Sequence, residues 1–353
     1  MATMKDIANA VGVSLTTVSN VIHGNYDRVS PQTVARIQEA IRQMRYVPNM
    51  SARALVSHTS RIIAYVDSHG PLETYAGNGF AGVLLSGIEN IVTERGYFLM
   101  MRRGTDEEVL RLMLNNWNPD GVIFKDRVPE SLVAFVRSQN KPCVTINTYF
   151  DDPALIQVRA ADYQGGRLAT EHLLGLGHRD VLFVGAVHCG FQNNDQRYLG
   201  HCDALRAAGL TPNPANLIDT LHPFCADRAI AMGRQLAGQG GFTAICVSGD
   251  QYATAIMAGL RERGVRVPQD VSIVGFDDTD VARMCTPPLT TVHQDGIGKG
   301  ERAAEALFAL IAGESPDPGD FTLPVHLVVR GTTAAPRKRE AAGTPSGSAG
   351  SPA

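Results

Sequence analysis

The chain lacks the features that mark membrane and secreted proteins. No run of about 18 apolar residues occurs in the sequence, so no membrane span is predicted. The first residues are polar and do not have the apolar core of a signal peptide. Charged residues make up 19% and apolar residues 44%, a balance typical of globular rather than disordered chains. We therefore expect a cytoplasmic protein without membrane contact.

Motifs of metal, nucleotide and catalytic sites are also missing. The six cysteines, at positions 143, 189, 202, 225, 246 and 285, include no Cys-x-x-Cys pair, and no His–Cys spacing fits a zinc motif. We expect buried, reduced thiols, no metal and no cofactor. Gly296-x-Gly298-x-Gly300 lacks the spacing of a dinucleotide-binding loop, and no Gly-x-Ser-x-Gly nucleophile motif occurs. These absences argue against an enzyme.

Strand-like and helical segments alternate after residue 61. The strand-like runs span residues 62–66, 97–101, 121–124, 143–146, 181–184, 244–247 and 271–274. Such alternation predicts an α/β fold of doubly wound parallel sheets. The units are numerous enough for two sheets, the second beginning near residue 163, and 353 residues exceed one typical core.

The first 48 residues have the pattern of a helix-turn-helix headpiece. Thr3 and Asp6 have the spacing of a capping box for a first helix. The turn 11–14 contains Gly12, and Ser14 can cap a second helix over residues 15–22. Ser30 and Pro31 begin a third helix. Apolar residues at positions 7, 11, 18, 21, 22, 34, 37 and 41 can form its small core.

The second helix directs a mostly polar face outward. That face is either an ordinary solvated surface or a surface that reads DNA bases. Residues 1–61 carry seven Lys/Arg and three Asp/Glu, a net charge of +4, whereas the remainder carries −7. A basic head on an acidic body is what phosphate binding predicts. The candidate DNA contacts here are Thr3, Ser14, Leu15, Thr16, Thr17, Ser19, Asn20 and His23.

Several longer motifs follow one another along the chain. They are Tyr46-Val47-Pro48-Asn49 with Ala52-Arg53-Ala54-Leu55, Asp162-x-x-Gly165-Gly166-x-x-Ala169, Gly177-His178-Arg179, Val274-Gly275-Phe276-Asp277-Asp278, and Thr286-Pro287-Pro288-Leu289. Together they resemble the lactose/galactose repressor family of bacterial transcriptional regulators. The resemblance covers residues 3 to about 336. It implies a sequence-specific regulator, usually a repressor, with a two-lobed body like that of periplasmic binding proteins and a small effector between the lobes.

The resemblance also implies roles in DNA binding. Leu15, Thr16 and Asn20 match the family's principal major-groove readers, and Asn20 stands where many relatives have arginine. A homodimer is expected to read a pseudopalindromic operator in double-stranded DNA, with the 80–94 helix in its interface. Leu55 of the hinge is expected to wedge into the minor groove, with a helix-packing role as the alternative. The candidate hinge contacts are Asn49, Ala52, Arg53 and Leu55.

Candidate effector contacts come from strand ends and from the resemblance. Ligands of open parallel sheets bind at the carboxyl ends of the strands, where Asp67, Asn147, Asp250 and Asp277 are expected. By resemblance, Arg197 is the family's effector-binding arginine, Asp277 binds effector hydroxyls and Phe224 stacks on a flat ligand face.

Structural roles remain open for four of these residues. Arg197, expected at the start of the helix after the 188–195 loop, could pair with Asp195 or with a helix end. Asp250 could cap the following helix, Asp277 could cap the next segment, and Phe224 could belong to the core. Asp162 is expected to cap a helix rather than to touch ligand.

The chemistry of the ligand is left open in part. Arg197 with Asp277 suits a sugar or a sugar derivative, since a donor fork and an acceptor both need hydroxyl partners. Two departures from the family, Gly249 in place of Asn and the divergent 67–79 stretch, keep a purine, a nucleoside or a sugar phosphate possible. A soluble sugar-binding receptor is the competing class, but it would need a signal peptide and not residues 4–55.

The expected organisation has five parts. Residues 1–48 form the headpiece, and 49–60 the hinge helix and linker. The effector-binding body has an N-subdomain of residues 61–161 and 290–320 and a C-subdomain of residues 162–289 and 321–336. The Gly/Ser/Pro-rich segment 337–353 is expected to be a disordered tail.

Overall fold

The computed structural model divides the chain into two units, Met1–Arg61 and Ile62–Ala353. It describes residues 2–22, 24–46, 59–67, 79–104, 106–220, 224–317 and 321–337. The predicted contacts His23, Asn49, Ala52, Arg53 and Leu55 lie outside the described residues, as do most of the 67–79 stretch and almost all of the predicted tail.

Among the described residues of the first unit, three α-helices form, and their ends follow the predicted signals. Their bounds are α1 Met4–Val11, α2 Leu15–Ile22 and α3 Pro31–Gln43. In the capping box of α1 the Thr3 hydroxyl accepts from the Asp6 N–H at 3.3 Å, and the Asp6 carboxylate accepts from the Thr3 N–H at 2.8 Å. Gly12, at φ 71°, ends α1 in the left-handed region. The Ser14 hydroxyl then accepts from the first turn of α2, and Ser30 caps α3.

Burial of one face of each helix holds this unit together. The buried residues are Ile7, Ala8, Val11, Val18, Val21 and Ile37, with Ile22, Val34 and Ile41 packed against them. The Arg36 guanidinium of α3 also donates to the Val11 carbonyl at 2.6 Å, which satisfies an open acceptor at the end of α1. The predicted helix-turn-helix headpiece is thereby confirmed.

In the described part of the second unit, twelve strands form two sheets of six. The first sheet has the order β11-β5-β4-β3-β1-β2, all parallel, and defines the first lobe. Its strands are β1 Ile62–Asp67, β2 Phe98–Arg103, β3 Gly121–Lys125, β4 Cys143–Ile146, β5 Ile156–Ala160 and β11 Thr322–Leu323. The doubly wound class is therefore confirmed for this lobe.

The second sheet defines the second lobe and has the order β12-β10-β9-β8-β6-β7. All neighbours are parallel except β12, which runs antiparallel to β10. Its strands are β6 Val181–Gly185, β7 Leu217–Asp219, β8 Ala244–Val247, β9 Ser272–Asp277, β10 Thr290–Gln294 and β12 Val325–Val328. The inner strands β1, β3, β4, β6, β8 and β9 are buried runs rich in branched apolar residues, as expected when helices cover both faces.

Helices cover the faces of both sheets. They are α4 Gly79–Glu94, α5 Glu107–Trp117, α6 Glu130–Ser138, α7 Asp162–Gly175, α8 Gln192–Ala207, α9 Ala226–Leu236, α10 Asp250–Glu262, α11 Asp280–Met284 and α12 Gly296–Ile311. The late helix α12 packs against α4 and against strands of the first sheet. Helix α7 packs against α8, and α9 against α10, on the second lobe. No helix among the described residues is long and apolar enough to cross a membrane.

Some details differ from the sequence-based expectations. Strand β10 belongs to the second sheet and β11 to the first, so the chain changes lobe after 294 and after 323 rather than at 290 and 321. The polar run Thr290–Gln294 does not look like a buried strand, although it pairs on both sides. Helix α8 begins at Gln192, which places Arg197 in its second turn rather than at its start. Half of the six cysteines are buried, and the others are partly exposed.

Glycine lets α7 and α8 approach each other closely. A Cβ on Gly166 would lie 2.0 Å from the Arg197 carbonyl oxygen, and one on Gly200 would lie 2.0 Å from the Tyr163 carbonyl oxygen. Neither backbone oxygen can move without displacing its helix. The close crossing therefore depends on the absence of side chains at both positions.

Gly166→Ala should separate these helices and destabilise the second lobe by about 2 kcal/mol or more, because overpacking against backbone has no flexible relief. Gly175→Ala, in the same helix but with no atom within 4 Å of its Cβ, is the matched control. The control should leave stability unchanged or raise it slightly. Urea unfolding of the two variants measures the difference, and equal stabilities would contradict this account of the crossing.

Candidate functional site

The exposed face of α2 carries the predicted base-reading residues. Leu15 is 50% exposed, Thr16 is exposed, and Asn20 is half-buried. Residues 15, 16, 19 and 20 share one face, because helical neighbours recur at spacings of three and four. A leucine side chain that is half exposed at the start of a helix, as Leu15 is, is typical of a binding interface. Thr3 and Ser14 are the helix caps described above. Their hydroxyl groups therefore stabilise the ends of the helices that carry this surface.

A cleft between the two lobes opens at the carboxyl ends of their strands. Its walls combine charged, amide and aromatic side chains. The residues that line it are Phe80, Ala81, Lys125, Asp126, Asn147, Phe191, Asn193, Asn194, Arg197, Phe224, Ser248, Gly249, Gln251, Tyr252, Asp277, Thr279 and Gln294. Four of the six predicted effector contacts are thus brought together, namely Asn147, Arg197, Phe224 and Asp277.

Arg197 is buried and fully oriented by its neighbours. Its Nε donates to Asp162 Oδ1 at 2.8 Å, and its Nη1 donates to the Ser248 carbonyl at 2.6 Å. The guanidinium carbon lies 3.5 Å from the centre of the Phe276 ring. Asp277 Oδ1 lies 3.9 Å from Nη1. The partner of Arg197 is therefore Asp162 rather than Asp195, and its fork is held rigidly at the wall of the cleft.

Asp162 does not cap its helix as expected, since the N-cap residue of α7 is Ala161 and no side-chain cap bond forms there; its carboxylate instead accepts from Arg197 and Tyr149. It is the first residue of α7, and its second carboxylate oxygen accepts from the Tyr149 hydroxyl at 2.8 Å. Burial and the Asp162 charge raise the pKa of Tyr149, so that hydroxyl stays a donor. Asp162 thus anchors Arg197 without being one of the lining residues.

Backbone conformation directs several polar side chains into the cleft. Asp126, Asn147 and Asp277, which end or follow β3, β4 and β9, have φ of 61°, 59° and 109°. Asp and Asn tolerate this left-handed region better than other non-glycine residues. Such conformations are concentrated at ligand sites because the surrounding fold must hold them in place.

Asp277 is a carboxylate acceptor in a mostly desolvated position. Its Oδ1 accepts from the Gln294 amide at 2.6 Å. Burial raises its pKa, while the Arg197 charge and the Gln294 hydrogen bond oppose that rise. Phe224 lies across the cleft surface with its ring centre 4.8 Å from that of Tyr252, edge to face. The cleft therefore offers ligands both charged partners and aromatic surface.

Two predicted contacts do not line the cleft. Asp67 is buried at the end of β1, 3.6 Å from Lys125 Nζ, and accepts from the Tyr65 hydroxyl. Asp250 begins α10, and its carboxylate accepts from the Thr279 N–H at 2.8 Å and from the Thr291 hydroxyl at 2.6 Å. Burial and the nearby Asp277 charge raise the pKa of Asp250. Asp250 thus ties α10 to Thr279, at the start of α11, and to Thr291 of β10, but it does not cap α10, whose N-cap residue is Gly249 without a side-chain cap bond.

Sequence reasoning missed Lys299, Gln294 and Asp126. Lys299 is buried in α12 and donates to amide oxygens of the cleft. One signal was available, because Lys299 lies four and eight residues before Ala303 and Leu307, on the buried face of that helix. Among the described residues, no group of three or more His, Cys, Asp or Glu could hold a metal ion.

Known families match both units. Residues 3–49 match the family described as "Bacterial regulatory proteins, lacI family", and residues 170–333 match "Periplasmic binding protein-like domain". The regulator CelR of Thermobifida fusca is 31% identical over 341 residues, 93% of this chain and 97% of its own length. The repressor PurR of Aliivibrio salmonicida is 31% identical over 338 residues, with 94% and 98% covered.

Solved structures agree with these matches. A lac repressor dimer bound to operator and an anti-inducer has a TM-score of 0.82 at 25% identity, covering 95% of this chain and 99% of that one. The complex of CelR with cellobiose has a TM-score of 0.71 at 29% identity, covering 94% and 100%. The headpiece, the two lobes and a 31% identity that extends over more than nine-tenths of the chain lead to one conclusion: the chain belongs to the lacI family of DNA-binding transcriptional regulators.

Proposed function

We propose that this protein is a cytoplasmic, nucleoid-associated repressor that binds a pseudopalindromic operator as a homodimer and responds to a sugar or sugar derivative in the cleft. The observation that carries the effector part is the pairing of the rigid Arg197 fork with the Asp277 acceptor beside aromatic walls. Sugars present hydroxyl groups to donors and acceptors and C–H faces to aromatic rings. The cellobiose complex of the relative CelR supports this class. The regulator role gives no reason to invoke an enzymatic activity.

A purine-responsive, corepressed regulator is the alternative. The Phe224 ring in the cleft wall favours it, because a flat heterocycle can stack there. Either ligand would change the affinity of the protein for its operator only if the ligand binds one arrangement of the two lobes more tightly than the other. The same cleft therefore serves induction or corepression.

The exposed apolar side chains of the first lobe are candidates for the homodimer surface. The edge strand β2 exposes Phe98 and Met101, and α5 exposes Leu112 and Trp117. Open strand edges with apolar side chains favour association. The homodimer interface would then combine this surface with the 80–94 helix predicted from the sequence, where Val83 is 39% exposed.

Phe98→Glu should lower the dimer fraction, because it places a charge within the proposed apolar interface. Val329→Glu, at a side chain 58% exposed on the second lobe, is the control and should remain dimeric. Sedimentation velocity at micromolar protein distinguishes them. A dimer fraction unchanged by Phe98→Glu would remove β2 from the interface.

Asn20→Arg should change the preferred base at one operator step from adenine towards guanine. Asn forms a two-bond contact with adenine, whereas Arg forms one with guanine, each contributing about 1–3 kcal/mol of discrimination. Operators selected from a random library report the preference. Gln43→Arg adds the same charge at an exposed site of α3 and should raise affinity without altering the preference. An unaltered preference in Asn20→Arg would exclude Asn20 as a base reader.

Asp277→Asn should weaken binding of the effector by about ten- to a hundred-fold, because hydrogen bonds to charged groups contribute about 1.5–3 kcal/mol. Thermal shift with cellobiose, monosaccharides, hypoxanthine and guanine measures binding and separates the two effector classes. Asp280→Asn, an exposed aspartate outside the cleft lining, is the matched control. Equal binding by both variants would contradict the assignment of Asp277, and binding of purines alone would favour the alternative.

A further inference from the structure

One buried cation joins the two walls of the cleft. Lys299 is 0% exposed, and its Nζ donates to Asn147 Oδ1 at 3.0 Å and to Gln294 Oε1 at 2.6 Å. Asn147 follows β4 of the first lobe, and Gln294 ends β10 of the second lobe. Both amide side chains line the cleft. The same ammonium group therefore holds one cleft side chain from each lobe.

The nitrogen atom of each amide donates a hydrogen bond to a carboxylate. Asn147 Nδ2 donates to Asp126 Oδ1 at 2.9 Å, and Gln294 Nε2 donates to Asp277 Oδ1 at 2.6 Å. Asp126 belongs to the first lobe and Asp277 to the second, and both line the cleft. Two hydrogen-bond chains thus start at Lys299, one in each lobe, and each runs from the ammonium group through an amide to a carboxylate.

The chemistry of Lys299 sets the direction of both branches. An ammonium group has three donors and no acceptor, so it selects the oxygen end of a primary amide. The two ends of that amide are almost equal in size, so its orientation depends on its partners: Lys299 selects the oxygen end, and a carboxylate, which only accepts, selects the nitrogen end. Once the oxygen atoms face Lys299, the nitrogen atoms must face acceptors. With an apolar residue at position 299, both amide oxygen atoms lose their donor, and each amide is held only through its bond to a carboxylate.

We propose that Lys299 is a positioning residue of the cleft, which, through Asn147 and Gln294, holds Asp126 and Asp277 as hydrogen-bond acceptors on opposite lobes. The inference rests on the proposed function, since it concerns the ligand of that cleft. Two opposed acceptors require donors on two faces of the ligand. Neutral polyols and amino sugars supply them, whereas an ionised phosphate or carboxylate group has no donor for either acceptor; Lys125 and Arg197 lie beside Asp126 and Asp277 as the cations of the two walls.

A ligand-free measurement tests the positioning role directly. In the full-length protein labelled with ¹⁵N, the side-chain amide signals of Asn147 and Gln294 should lie apart from those of solvent-exposed amides, because each donates to a carboxylate. Lys299→Met should move or broaden both pairs of signals together. Lys141→Met is the matched control, because Lys141 Nζ also donates to an amide oxygen, that of Asn118, at 2.8 Å outside the cleft.

The comparison of the amide signals of Lys299→Met and Lys141→Met decides whether Lys299 positions the cleft amides. Changes in both cleft amides in Lys299→Met, absent from Lys141→Met, support the proposal. Unchanged Asn147 and Gln294 signals in a folded Lys299→Met protein overturn it. If that variant does not fold, Gln294→Glu tests the second branch, since a carboxylate there can accept from Lys299 but cannot donate to Asp277.

Ligand selectivity provides the second readout. Calorimetry with glucose, cellobiose, glucosamine and glucose 6-phosphate should give the wild-type protein a preference of about tenfold or more against the phosphate. Lys299→Met should weaken binding of the neutral sugars by about tenfold and narrow that preference. A preference that persists in Lys299→Met contradicts the selectivity claim. If no sugar binds the wild-type protein, the proposed function fails, while the amide spectra still decide the role of Lys299.

The pH dependence of stability distinguishes the charge of Lys299 from the packing of its side chain. Burial lowers the pKa of Lys299 from 10.5 to about 8, and the charged groups around it are Asp126, Asp162, Asp277 and Arg197. The charged form therefore costs stability below pH 8, and that cost disappears as the pH rises from about 8 towards 10.5. Wild-type protein should gain stability relative to Lys299→Met over this window, and its cleft amide signals should change with it. Parallel pH profiles would overturn the assignment of a buried ammonium group.

Discussion

The ion pair between Arg197 and Asp162 is the interaction on which the architecture of the cleft depends. A buried guanidinium group is tolerated only when its donors are satisfied, and here a carboxylate, a backbone carbonyl and an aromatic face satisfy it. These partners come from the start of α7, the end of β8 and the end of β9. The pair thus ties together three elements of the second lobe at the edge where ligand arrives.

Helix packing makes this ion pair possible. Gly166 of α7 lies against the backbone of Arg197 itself, so the absence of a side chain at 166 brings Asp162 and Arg197 within hydrogen-bond distance. The family signature around Gly165 and Gly166 therefore has a physical meaning at the cleft, although neither glycine is among the residues that line it. His178 of the neighbouring signature is also structural: it is buried, and its ring nitrogens bond Thr243 and the Ala334 carbonyl, which fastens the 331–337 segment to the second lobe.

Local signals in the sequence were sufficient for the headpiece and for most strands. Thr3, Gly12, Ser14 and Ser30 act within a few residues of their own helices, so spacing alone identifies them. Strand ends likewise pointed to Asn147 and Asp277. Asp67 and Asp250 show the limit of that rule, since the carboxyl end of a strand does not determine whether a side chain faces the ligand or the interior. The helical pattern marks Lys299 as buried, but its bond to Asn147 joins positions 152 residues apart, and no local pattern contains that contact.

The path of the chain between the lobes has a consequence for synthesis on the ribosome. The core of the first lobe joins early residues such as Ile63 and Tyr65 to late ones such as Leu307 and Phe308 of α12. The headpiece, by contrast, draws its buried residues from positions 7 to 37. During vectorial translation the headpiece can fold as soon as it emerges, whereas the first lobe must wait until nearly the whole polypeptide has been made. The DNA-reading surface therefore matures before the cleft that regulates it can exist.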